Sequence, residues 1–226
     1  MLKKIAYTAV LFSSLGLSAS AQEVAAVNYS TSKAFLKPVS GQFTVELPAS
    51  YTGGGITHFK LNQLRGRYFL DPSTALRSSF TLDLNKYRYG GISRSITNLI
   101  VAPGVEKHFK GSKRFSPYLG AELRLSKQFS SFESDEVKIT GAASTFTSST
   151  DRNDIGVGVG LFAGVDYYIT KRFYVGAELG YSIDYLMYGD IKVKPANEPS
   201  YVIDPKETAP KDSHSVNAIL KVGFKF

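Results

Sequence analysis

The residues of this chain best equipped for chemistry are charged side chains set at even spacing into apolar surroundings. Glu46, Arg65, Arg67, Arg77, Asp83, Glu106, Glu122, Arg124, Asp166, Glu178, Asp184, Lys221 and Lys225 each occupy the polar register of a segment that is otherwise largely apolar. The two signs are nearly balanced. Enclosed on one face of a fold, such groups would pair into an ionic core, because a lone buried charge costs several kcal/mol. The sharper alternative is a narrow hydrated solute path lined by the same charges.

Other chemistry is poorly supported. His58, His108 and His214 show no metal-ligand spacing, and there is no cysteine for a thiolate, a disulfide or a Cys-based zinc site. Gly158-Val-Gly160-Leu-Phe-Ala163 formally fits a dinucleotide fingerprint, but it lies within an alternating segment with no helix after it. His214-Ser215 invites comparison with lipid-hydrolysing barrels, yet no third, orienting partner is identifiable. The expectation is no enzyme, no cofactor, and no catalytic or metal site.

The elements that must position the charges follow from the alternation itself. In Phe173–Tyr185, Phe173, Val175, Ala177, Leu179, Tyr181, Ile183 and Tyr185 share one face, opposite Tyr174, Gly176, Glu178, Gly180, Ser182 and Asp184. A period of two is a strand, and roughly 9 to 11 tilted residues cross a bilayer. Ile155–Tyr168 behaves alike, its Gly156, Gly158, Gly160 and Gly164 leaving room for large partners opposite. Weaker versions run over 41–47, 64–70, 76–85, 98–109, 116–127 and 216–226. The expected fold is all-β: an eight-stranded antiparallel up-and-down transmembrane β-barrel. Pro103 interrupts the fourth strand and predicts a local bulge, since a closed barrel has no free edge to forgive a missing donor.

Connectors are expected to alternate, short at 71–74, 110–114 and 170–172 and longer at 48–58, 88–96, 130–153 and 187–213. Short turns at one end and long loops at the other mark a transmembrane barrel. Tyr68, Phe109, Phe115, Tyr167, Phe173, Phe224 and Phe226 collect beside the short turns; Tyr51, Phe59, Tyr87, Phe129, Tyr185 and Tyr188 lie towards the loops, predicting two aromatic girdles. The Ser/Thr-rich loop 130–153 and the Pro-rich loop 187–213 read as mobile, exposed regions through which extracellular ligands would be touched, or as merely solvated.

The start reads as a cleaved secretory signal peptide: Lys3-Lys4, an apolar stretch from Ile5 to Leu17, then small residues with cleavage after Ala21. Residues 22–40 follow as an N-terminal periplasmic extension, and 41–226 as the barrel. Losing Lys3 and Lys4 takes the formal charge from +8 to +6. No basic helix or recognition motif accompanies that excess, so no nucleic-acid partner is expected. Much of it sits in connectors such as Lys110, Lys113, Arg114, Lys171 and Arg172, as a solvated or lipid-phosphate-facing rim.

Arg67-Tyr-Phe-Leu70 leading to Ala75-Leu-Arg77, the phrases Tyr118-Leu-Gly-Ala-Glu-Leu123 and Tyr174-Val-Gly-Ala-Glu-Leu179, and the terminal Phe226 resemble the bacterial outer membrane protein β-barrel domain family. This is the small porin-like group related in architecture to OmpA and OmpX, and the resemblance covers roughly residues 41–226. It implies an integral outer-membrane location with both termini periplasmic, in contact with lipid and lipopolysaccharide. It also implies a structural or surface-interaction role, with a narrow pore as alternative. The ending Leu220-Lys-Val-Gly-Phe-Lys-Phe226 is similar to the signal by which barrel-assembly machinery recognises its clients, with Phe224 and Phe226 as its aromatic positions.

Overall fold

The computed structural model describes residues 36–50, 63–144, 151–204 and 211–226. The signal-peptide segment, most of the extension and the connector around 51–62, with Tyr51, Phe59 and His58, lie outside the described residues. Among the described residues eleven strands run in chain order: β1 (Phe43–Ser50), β2 (Gln63–Asp71), β3 (Thr74–Tyr89), β4 (Ile92–His108), β5 (Phe115–Glu133), β6 (Val137–Thr140), β7 (Asp154–Tyr168), β8 (Phe173–Tyr188), β9 (Ile191–Pro195), β10 (Tyr201–Asp204) and β11 (Lys211–Lys225). Eight of them form one ring, β5-β4-β3-β2-β1-β11-β8-β7, closed by β7 pairing back onto β5. Every neighbour in the ring is antiparallel. Closure matters because, in hydrocarbon, each backbone N–H and C=O must find its partner within the protein.

The pleat then sorts side chains into an outside and an inside. Leu76, Phe80, Leu119, Leu123, Val159, Leu161, Leu179 and Leu220 are all exposed on the outer face. Arg65, Arg67, Glu46, Glu106 and Asp166 are at most 1% exposed on the inner one. A soluble domain would reverse that arrangement. The short turns are held by one side-chain oxygen each. Asp71 accepts from the Ser73 amide at 2.7 Å, Ser112 from the Phe115 amide at 3.1 Å, and Thr170 from the Phe173 amide at 3.0 Å.

Four expectations need correction. Segment 88–96 is not a long loop: β3 and β4 continue to Tyr89 and Ile92 and meet at Gly90-Gly91, whose φ values of 55° and 79° supply the left-handed pair a two-residue hairpin turn requires. Pro103 causes no bulge. The β3–β4 register runs unbroken past Ser78↔Pro103, and β4–β5 keeps its register while omitting the pairs at Ala102 and Pro103, so the missing donor costs a gap on one side only. The described parts of loops 130–153 and 187–213 are ordered rather than open: β6, β9 and β10 extend the β5 edge as a small sheet over a core of Ile139, Ala142, Ile191 and Val193. Arg152, 4% exposed, ties both loops together by donating to the Gly189 carbonyl at 2.8 and 3.0 Å. Tyr188, placed in the loop-side girdle by the sequence, is instead buried, with the Arg152 guanidinium 5.5 Å from its ring centre.

At the opposite end, Leu36 and Lys37 offer carbonyls to the Lys225 ammonium at 3.1 and 3.3 Å, and the Ser40 hydroxyl donates to the Leu70 carbonyl at 2.6 Å. The last residues of the expected extension thus pack on the short-turn rim.

Leu179 stands on the outer face midway along β8, 64% exposed. Replacing it with Arg should destabilise the barrel by about 2–4 kcal/mol, as for a charge near the bilayer midplane, read from urea unfolding in phospholipid vesicles. An unperturbed variant would mean that this face does not meet lipid.

Candidate functional site

The inner face concentrates its charges at one level, and each barrel strand contributes to it. Arg67 on β2 reaches three carboxylates from three other strands: Glu46 on β1 at 2.9 Å, Glu106 on β4 at 3.0 Å and Asp166 on β7 at 2.6 Å. Arg77 on β3 contacts Glu106 at 3.2 Å, Glu122 on β5 at 3.2 Å and Glu178 on β8 at 2.8 Å. Arg65 lies 3.4 Å from Glu46 and 3.1 Å from Glu178. Lys221 on β11 lies 3.0 Å from both Glu46 and Asp166. Nearer the loops, Arg124 contacts Glu122 at 3.3 Å and Asp184 at 3.0 Å.

Aromatic groups complete the cluster. The Tyr118 hydroxyl donates to Glu178 at 2.8 Å and the Tyr174 hydroxyl to Glu46 at 2.6 Å. The Arg77 guanidinium lies 3.7 Å from the Phe162 ring centre, and Arg67 and Lys221 lie 4.8 and 4.6 Å from that of Tyr118. His108 joins as a lumen residue, 3.2 Å from Glu106 and 3.1 Å from the Ser116 hydroxyl, with its ring between Phe69 and Tyr118. Glycines supply the space. A Cβ at Gly164 would strike the Tyr118 hydroxyl, one at Gly223 the Tyr174 ring, and one at Gly176 both Lys221 and Asp166.

Glu46, Arg67, Arg77, Glu106, Glu122, Arg124, Asp166, Glu178, Asp184 and Lys221 are therefore joined in one set of contacts, together with Arg65. Asp83 is half-buried on the same face of β3, six residues beyond Arg77 towards the loops, about 20 Å along the strand. Lys225, at the other end, turns to the carbonyls of Leu36 and Lys37. Phe224 and Phe226 lie outside, exposed at the short-turn rim, and Phe224 packs on Phe173 with ring centres 5.3 Å apart. Sequence reading assigned no part to Tyr118, Tyr174 and Phe162, although each lies in the polar register of its strand.

Above the cluster, towards the loops, lies a cavity of about 140 Å³, lined among others by Arg65, Arg77, Ser79, Glu122, Arg124 and Ser182. Its polar walls and size suit a few waters. On the short-turn side Phe69, His108, Tyr118, Tyr168 and Tyr174 are all at most 5% exposed and close the floor. The pair His214-Ser215 is split by the pleat. His214 Nδ1 lies 2.8 Å from the Tyr181 hydroxyl on the outer face, whereas the Ser215 hydroxyl meets that of Ser182, 2.7 Å away, on the inner one.

The sequence profile of the putative OmpA-OmpF-like porin family matches residues 86–226. The chain belongs to that family. This family member is an integral outer-membrane β-barrel protein. Among solved structures, it is similar to the N-terminal β-barrel domain of Pseudomonas aeruginosa OprF, with 17% identity over 83% of this chain and 98% of that one, at a TM-score of 0.45. It is also similar to Ail, the attachment invasion locus protein of Yersinia pestis, with 15% identity over 83% of this chain and all of that one, at a TM-score of 0.42. No curated protein matches it.

Arg67→Met would leave Glu46, Glu106 and Asp166 short of a shared cation. Breaking a buried pair from one side costs about 3–5 kcal/mol, so the variant should unfold at clearly lower urea in vesicles. Equal midpoints would show that water already screens these groups.

Proposed function

We propose that this barrel is a closed structural and surface-presenting element of the outer membrane rather than a conduit. The observation that carries the reading is the charged cluster: at its level, side chains from all eight barrel strands meet, and Arg65, Arg67, Glu46, Glu106 and Asp166 are at most 1% exposed. An eight-stranded interior is only wide enough to be filled by side chains. A permeating ion would have to part Arg67 from three carboxylates at once. The cavity above the cluster favours a second reading, a narrow pore that opens when the cluster rearranges.

In this reading Met1–Ala21 is removed on export, residues 22–40 stay in the periplasm with both termini, and the ordered loop sheet faces outwards. Phe224 and Phe226 at the exposed rim suit the final strand's part in recognition by barrel-assembly machinery. The loop sheet, braced by Arg152 and by the Arg94–Asp151 pair at 3.0 Å, offers a firm platform for extracellular ligands. No catalytic role is assigned.

Planar-bilayer recording tests the closed state. Purified wild-type protein should give no stepwise openings, and discrete openings would favour the pore. Orientation is read independently, because the chain has no native cysteine. Asn197→Cys, in the loop sheet's turn, should react with impermeant maleimide on intact cells, and Lys113→Cys only after lysis; the reverse pattern would invert the topology.

A further inference from the structure

The strand registers carry one pattern that the lumen does not explain. On the outer face above the apolar belt, residues line up in rows across β3, β4, β5, β6 and β9. One row reads Arg88, Ser93, Glu133, Lys138 and Lys194. The row two residues nearer the membrane reads Lys86, Ser95, Ser131, Thr140 and Lys192. Directly beneath it, Leu84, Thr97 and Phe129 begin the lipid-facing surface. Rows two residues apart are separated by about 7 Å along a strand.

Five cations and several hydroxyls thus form a band on one wall, with Glu133 as its one carboxylate, 3.3 Å from Lys138. All five cations are exposed. Lys138 and Lys194 stand directly opposite one another, a like-charge placement that costs stability in a sheet unless an anion lies between or over the two. At the same level on the opposite wall, the outward side chains of β8 and β11 that are described are Tyr185, Met187 and Asp212, with no cation among them.

A second observation marks where headgroups begin. Lys127 lies in the row of Leu82, Leu99 and Ile155, within the apolar belt, and its ammonium lies 5.3 Å from the ring centre of Phe129, one row towards the loops. Long cationic side chains at a membrane edge extend in this way to place their charge in the interface.

We infer that this wall is a docking surface for the phosphates of the surrounding outer-leaflet lipopolysaccharide. Lys86, Arg88, Lys138, Lys192 and Lys194 are the cations, and the interleaved hydroxyls are donors to phosphate oxygens. The band starts at the edge of the apolar belt, beside Leu84, and climbs towards the loops with the strand tilt across β4, β5, β6 and β9; its charge complements that of headgroup phosphates, and its sheet spacing presents several donors to one headgroup. The inference rests on the orientation proposed above, since it needs the loop end to face outwards, and it deepens that reading by naming the wall and its ligand.

The test uses the mature chain in phosphatidylcholine nanodiscs with EDTA, titrated with diphosphoryl lipid A or with dephosphorylated lipid A bearing the same acyl chains. Retained lipid is counted by native mass spectrometry. The wild type should bind the diphosphoryl form at least about tenfold more tightly, and K138Q/K192Q/K194Q should lose that preference. K138R/K192R/K194R should keep it, as should the short-turn-rim control K171Q/R172Q. Equal binding of the two lipids by the wild type, or full preference in the Gln variant, would overturn the docking surface. Loss in the rim control alone would place the phosphates at the other end. If Asn197→Cys is labelled from outside while the Gln variant still prefers phosphate, the band fails and the orientation stands.

Discussion

A backbone that crosses hydrocarbon must find every hydrogen-bond partner within itself, and the rest of this structure depends on that requirement. Strands meet it only as a ring, so β1 has to reach β11 and β7 has to reach β5. Once the ring is closed, the pleat leaves no choice about side chains. Alternate positions face lipid, and those between face a narrow space filled largely by one another.

The charged cluster follows from that second half. Burying so many ions is costly, and the pairs largely offset the cost rather than add to stability. Their effect lies in specificity. A slip of one residue in any strand would send Arg67, Glu106 or Asp166 into lipid and bring leucines inside, so the cluster penalises every wrong register around the ring. Because Arg67 and Arg77 each gather carboxylates from three other strands, the penalty is shared across the barrel. The aromatic floor and the glycine gaps let long side chains reach the centre.

What the sequence made legible was what depends on neighbours along one strand. Phe173–Tyr185 and Ile155–Tyr168 alternate without fault, and the structure keeps their faces as read. Partners across the lumen were not legible: nothing near Arg67 says that it will meet Glu46, Glu106 and Asp166 together. The β3–β4 hairpin was hidden because, above the membrane, its outer face changes from leucine to Lys86 and Arg88, and the strand signal fades although the strand continues. Gly90-Gly91 was the clue that remained. The loop sheet escaped because Ile191–Pro195 and Val137–Thr140 are short and gain stability only from each other and from the overhang of β5. Pro103 was over-read, since one missing donor needs only a gap in one ladder.

Closure itself is open to direct measurement by backbone amide exchange of the protein in lipid vesicles. Protection at Val45, Leu47, Leu220 and Val222, along the β1–β11 seam, should match that at Val159 and Leu161 within the ring. Exchange at the seam at the rate of a free sheet edge, with β7 still protected, would contradict a closed barrel.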